Sequence, residues 1–137
     1  MSKVDKIPLE VEEHLLVAEW LNKHGVFFIH IPNEGQRTIG QAVLLKRMGL
    51  KKGAPDFIIP GPVVNIAMEL KRCRKVGKSG KLVTPSRVSK EQNEVLWFLA
   101  QCHWKTQVCY GAAEAIGWLQ TLDLHKKPLK SIAVLEG

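Results

Sequence analysis

The sequence predicts an α/β fold, a mixed central β-sheet flanked by helices on both faces. Three observations carry that expectation. Runs rich in β-branched and aromatic residues alternate with segments of helical period. Two of those runs are separated by little more than Gly61-Pro62, a turn that makes them antiparallel neighbours. The chain has 137 residues and is 45% apolar, which suits one domain, 1–137, with a core that requires no staples.

The elements follow in order. Leu9 to His24 reads as a helix, because Val17, Trp20 and Leu21 recur at helical spacing and Gly25 stands where a C-terminal cap belongs. Val26 to Ile31 (VFFIHI) is a strand, stopped by Pro32-Asn33. Thr38 to Met48 is a short helix with Ile39, Ala42 and Leu45 on one side, ended by Gly49. Lys51-Lys52-Gly53-Ala54-Pro55 is a basic turn that cannot continue a helix. Asp56 to Pro60 is a short strand, and Val63 to Lys71 is a longer one. In the second, Ile66, Met68 and Leu70 point one way while Ala67, Glu69 and Lys71 point the other. Arg72 to Arg87 holds Gly77, Gly80 and Pro85 and reads as a loop or loose hairpin. Ser89 to His103 is a helix with Leu96, Phe98 and Leu99 in its apolar surface, Lys105 to Tyr110 a strand, and Ala112 to Leu122 the last helix. The tail from His125 to Gly137 has no assigned role.

Composition narrows the function classes. No apolar run approaches the roughly 20 residues that span a bilayer, and Met1 to Leu9 lacks a signal peptide's apolar stretch, so a cytoplasmic location is the expectation. The odd count of three cysteines (Cys73, Cys102, Cys109) argues for reduced, buried thiols; Cys102, His103 and Cys109 lack the second pair that a zinc site needs. The net charge of +7 points to a polyanionic partner or to solubility alone. Its distribution is uneven, with eight basic residues and no acidic one between Lys71 and Lys90. Arg72, Arg74, Lys75, Lys78, Lys81 and Arg87 could neutralise phosphates, or form a solvated loop. Lys52, in the basic turn, and Asn33 and Arg37, in a polar turn, are further candidates for phosphate contact. Gly77-Lys78-Ser79 is not a triphosphate-binding loop, since Arg72 stands where the first glycine belongs, and no nucleotide cofactor is expected.

The informative stretch is Pro55-Asp56 followed thirteen residues later by Glu69-Leu70-Lys71. Antiparallel pairing through Gly61-Pro62 brings Asp56 alongside Glu69, and two adjacent carboxylates repel unless a cation lies between them. Oxygen ligands without His or Cys suit Mg2+, with Mn2+ able to substitute. A lysine beside such a site positions or deprotonates an attacking water and offsets charge on a phosphate. The bland alternative is a cross-strand ion pair, worth well under about 1 kcal/mol when exposed. Ser89-x-x-Gln92 fits a helix capping box, and Gln92 is equally a candidate for the site. Glu10 and Glu13 share the side of the first helix that carries Val17 and Trp20, although acids in a first turn are also favoured by the helix dipole.

His30-Ile31-Pro32-Asn33, Met48-Gly49, Gly53-Ala54-Pro55-Asp56, Glu69-Leu70-Lys71 and Ser89-x-x-Gln92 occur in an order that resembles the VRR-Nuc family of the PD-(D/E)xK nucleases, in its short stand-alone form. The resemblance implies a restriction-endonuclease-like core with Asp56 and Glu69 as metal ligands, Lys71 assisting catalysis, the Leu70 carbonyl as a further ligand, and Gln92 in the site. The family's helix-one acid falls ten residues before Trp20-Leu21, which selects Glu10, while Glu13 stands where an apolar residue is expected. The resemblance further implies a homodimeric endonuclease selective for branched DNA, such as a Holliday-junction resolvase or a flap nuclease. Its rivals are a DNA-binding module without catalysis and a restriction-type nuclease acting on linear duplex.

Overall fold

The computed structural model describes residues 9–32, 37–83 and 87–126. In chain order the elements are α1 (Glu10–Lys23), β1 (Ile29–His30), α2 (Ile39–Arg47), β2 (Phe57–Ile59), β3 (Ile66–Lys71), β4 (Lys75–Val76), β5 (Leu82–Val83), α3 (Lys90–Gln101), β6 (Lys105–Tyr110) and α4 (Ala112–Gln120). The main sheet has the order β1-β2-β3-β6. The β1–β2 and β2–β3 pairs are antiparallel and β3–β6 is parallel, so the sheet is mixed. The parallel pair follows from the α3 crossover between its strands, whereas the Gly61-Pro62 turn can join only antiparallel neighbours.

The alternation in β3 decides which helices cover which face. Met68 and Leu70 share one buried cluster with Phe57, Cys109, Val17 and Leu21 of α1, and Ala112, Ala115 and Leu119 of α4. On α1 the buried positions are Glu13, Val17 and Leu21, four residues apart and therefore on one stripe. Ala67, Glu69 and Lys71 point the other way, and α3 reaches that side through Gln92, whose amide nitrogen lies 2.8 Å from Glu69. All six β3 residues are buried, charged ones included.

Several expected elements come out shorter or packed differently. Of the strand expected over Val26 to Ile31, only Ile29 and His30 pair with β2, because β2 offers just three residues. Val26 is buried and makes an isolated bridge to Lys126 in the tail, and residues 127–137 lie outside the described residues. The strand expected from Val63 starts at Ile66, since the turn extends to Asn65, whose side chain accepts a hydrogen bond from the Gly61 amide. Of the loop or loose hairpin expected for the basic stretch, the hairpin is found, β4 with β5. On α3, Leu96 is buried but Phe98 and Trp97 are exposed, because the helix turns one stripe to the sheet and Phe98 lies off it. Helix α2 buries no residue at all; Ile39, Val43, Leu44 and Met48 are exposed. Of the thiols expected to be buried, Cys109 is, Cys73 is half-buried, and Cys102 is exposed.

Candidate active site and metal centre

The site lies where the first turn of α1, the entrance to β2, the end of β3 and the first turn of α3 meet. Continuing the β2–β3 register (Phe57 opposite Met68) by one residue puts Asp56 opposite Glu69. The Asp56 Oδ2 accepts a hydrogen bond from the Leu70 amide at 2.7 Å, which locks the carboxylate against β3. The Ile31 amide donates to the Asp56 carbonyl at 2.8 Å and draws the His30 segment to the same place. Both carboxylates are buried, Glu69 with only 2% of its surface exposed.

Electrostatics there are strained. Burial first, and the neighbouring Asp56 carboxylate second, push the Glu69 carboxyl up to about 8, against the opposing pull of Lys71. Glu10 adds a smaller upward push. Lys71 Nζ stands 3.6 Å from Glu69 Oε1, with its side chain almost as buried as its partner. Oε1 also accepts a hydrogen bond from Gln92 Nε2 at 2.8 Å, while Oε2 is buried with no hydrogen-bond partner.

Gln92 closes the capping box and also reaches Glu69. Its Oε1 accepts from the Ser89 amide and its own amide donates to Ser89 Oγ, closing the capping box; its Nε2 is left free to hold Glu69. The turn at Gly53 fixes this corner. Gly53 has φ +88, and a Cβ there would lie 2.5 Å from the Glu91 carbonyl carbon and 2.7 Å from the Gln92 nitrogen, so only glycine lets the turn seat on the start of α3.

The two helix-one acids separate. Glu10 groups with His14 and Asp56, their ligand atoms all within 4.8 Å of one another. Glu13 turns to Gly111 and Cys73, where its Oε2 is buried and unpartnered. Burial first and the Glu13 carboxylate second raise the Cys73 thiol. His14 was absent from the sequence-derived site. Its Nε2 lies 3.8 Å from both Glu10 Oε1 and Asp56 Oδ2, and its Nδ1 shares a 3.0 Å hydrogen bond with His30 Nε2. Burial foremost, then His14, lowers the pKa of His30, with Asp56 opposing. The signal in the sequence was the four-residue spacing of Glu10 and His14, which stacks them on one helix face. A cleft of 260 Å³ opens over this group, lined by Glu10, Val11, His14, His30, Ile31, Pro32 and Asp56.

Glu10, His14 and Asp56 form a donor set that could hold a divalent cation, and Glu69, opposite Asp56, adds a buried oxygen with no hydrogen-bond partner. Among the described residues, Cys102, His103 and Cys109 do not form such a group.

The basic candidates divide by place. Lys75, Lys78 and Lys81 belong to the exposed β4–β5 hairpin. Arg74 stacks on the Tyr110 ring at 4.1 Å, Arg72 is half-buried, and Arg87 is exposed at the approach to α3. Arg37 and Lys52 line a second cleft with Lys46 and Lys51, where Lys52 also pairs with Glu91 at 3.5 Å. Asn33 lies outside the described residues.

No family model matches the chain, and no curated protein does. Among solved structures, one described as a "VRR_NUC domain protein" is similar, with a TM-score of 0.64 and 23% identity over 85% of this chain and 88% of that one. The likeness is one of fold: a mixed sheet with flanking helices arranged as in a VRR-Nuc domain. No helix among the described residues is long and apolar enough to cross a membrane.

Proposed function

With that fold as the premise, we propose that the chain is a divalent-metal-dependent DNA endonuclease of the VRR-Nuc type, running on Mg2+ with Mn2+ in its place. The observation that carries the reading is the Asp56–Glu69 pair, buried on adjacent strands with an unsatisfied Glu69 oxygen and Lys71 at 3.6 Å. Removing two carboxylates from water side by side is costly unless one keeps its proton or a cation compensates them, and a fold that needed only stability would gain from apolar residues there. Asp56, Glu69 and Glu10 would hold the ion, with the Leu70 carbonyl as a further ligand. Bound there, a divalent ion lowers the pKa of a coordinated water and polarises a phosphoryl oxygen.

The chain's own residues supply the rest. The Leu70 amide and Gln92 keep the two carboxylates aimed, so little reorganisation is needed when substrate arrives. Lys71, buried and unable to swing away, holds a proton donor beside the position an attacking water would take. The hairpin lysines and the Arg37–Lys52 cleft support contacts to phosphates, which position DNA without reading its sequence. We extend the reading to branched DNA, junctions or flaps, cut by a homodimer. Exposed Leu15 and Leu16 of α1 and Val43 and Leu44 of α2 support self-association, since apolar side chains of this kind are what a two-fold interface covers.

The test incubates purified protein with supercoiled plasmid, linear duplex, a flap and a four-way junction, in Mg2+, Mn2+ or EDTA. Cleavage of the branched substrates is expected with either metal and not in EDTA. Asp56→Asn and Lys71→Met should each lower single-turnover cleavage by about 100-fold or more while leaving the circular-dichroism spectrum unchanged. Tight binding of every DNA without cutting in any metal would overturn the enzyme in favour of a binding module. Discrete fragments from linear duplex would point to a restriction-type nuclease instead.

A further inference from the structure

We propose that His14 is itself a ligand of the metal, through Nε2, and that the site in consequence binds Mn2+ in preference to Mg2+. The inference rests on the metal-dependent reading above and says which of those two ions the site prefers. It overturns the expectation of an all-oxygen set, since that expectation was drawn without a histidine.

Three independent features of His14 point the same way. The first is spacing. Nε2 is 3.8 Å from Glu10 Oε1 and 3.8 Å from Asp56 Oδ2, too far for a hydrogen bond to either. Two donors at about 2.1 Å from one octahedral ion stand roughly 3 to 4.2 Å apart, so the gap fits a shared cation. The second is orientation. Nδ1 is engaged by His30 Nε2 at 3.0 Å, and the ring packs edge-on to His30 and tilted against Phe57, so the imidazole cannot rotate freely. A metal-binding histidine is commonly held in this manner, its second nitrogen committed to an outer partner. The third is the unmet demand: Nε2 is buried and has no hydrogen-bond partner. Glu69 Oε2, on a side chain 2% exposed, is a second buried atom in the same condition.

The preference for an ion follows from the donor. Magnesium gains little from imidazole and demands oxygen at short, regular distances. Manganese accepts the same octahedral carboxylate and water ligands yet binds nitrogen better, and affinity for nitrogen donors rises along the first transition row. His30 is then a positioning residue, acting through the His14 ring.

Mn2+ titrated into the full-length protein provides the test, followed by electron paramagnetic resonance, with Mg2+ as competitor. Electron spin-echo modulation from a directly bound nitrogen is expected in the wild type. It should vanish in His14→Asn, which should weaken Mn2+ binding by about 10-fold or more and leave Mg2+ binding nearly unchanged. His30→Ala should weaken Mn2+ binding but keep the nitrogen modulation. Absence of nitrogen modulation in the wild type overturns the proposal even if His14→Asn fails to fold, and so does an equal loss of both metals in that variant. Nitrogen ligation without cleavage of any DNA would leave His14 as a ligand and remove the nuclease; cleavage without nitrogen ligation would do the reverse.

Discussion

Glu69 is the residue on which the chemistry of the proposed site turns. Burial and the Asp56 carboxylate push its carboxyl up to about 8, so without a cation it keeps its proton at neutral pH, whereas in the unfolded chain it would lose it near 4.5. A bound divalent ion requires the ionised form and must displace that proton. Metal affinity should therefore rise as pH climbs from 6 to about 8 and flatten above it, with close to one proton released per ion at pH 7. Calorimetric titration of Mn2+ in two buffers of different ionisation enthalpy measures the release; no buffer dependence would refute it. Stability has the opposite sign. Between about 4.5 and 8 the native state binds the proton and the unfolded state does not, so the metal-free protein should lose stability as pH rises through that window. Melting curves in EDTA at pH 5.5 and 8.5 check this. The sequence exposed Glu69 through the ExK spacing, but left Glu13 a candidate beside Glu10. That acid fits the apolar stripe of α1 by spacing, and only the packing shows it turned to Gly111 and Cys73.

At the scale of elements, α3 is both a crossover and a support. Its capping box ties Gln92 to Ser89, and the same side chain holds Glu69, so helix stability and site geometry share one residue. Two variants separate the roles. Ser89→Ala removes only the cap and should cost about 1 kcal/mol in chemical denaturation with cleavage little changed. Gln92→Ala should cost a similar amount and also weaken metal binding and cleavage, because Glu69 Oε1 loses its amide donor. Equal effects of the two on cleavage would reduce Gln92 to a cap. Gly53→Ala acts on the same corner from outside: a side chain at φ +88 meeting α3 backbone must push the turn away, costing roughly 1–3 kcal/mol. The sequence showed these elements clearly where periodicity and punctuation agreed, as at Lys105–Tyr110, found at its expected bounds. It gave α2 as a helix but not its surroundings: Ile39, Val43 and Leu44 face solvent, because periodicity records a stripe and not what covers it.

For the molecule as a whole, a net charge of +7 and an exposed basic hairpin would make the proposed binding to DNA a matter of counterion release. Affinity for duplex arms should fall linearly in log–log coordinates with salt. Replacing Lys75, Lys78 and Lys81 together by alanine should lower that slope by about 2 to 3, as each lost phosphate contact accounts for about 0.9. An unchanged slope would mean that the hairpin never touches the backbone of DNA and that the Arg37–Lys52 cleft carries the contacts.

The sequence alone determined that a mixed sheet would form and that Asp56, Glu69 and Lys71 would share a corner of it. Strand alternation and the Gly61-Pro62 break are local rules, and in the register found the apolar residues of β2 and β3 face the same core. Only the tertiary structure decided that Glu10 rather than Glu13 faces Asp56, and that His14 and His30 stand beside them. Those contacts depend on the rotation and depth at which α1 docks on the sheet. That docking is set by how Val17, Leu21 and Leu119 pack together, which the period of a single helix does not encode.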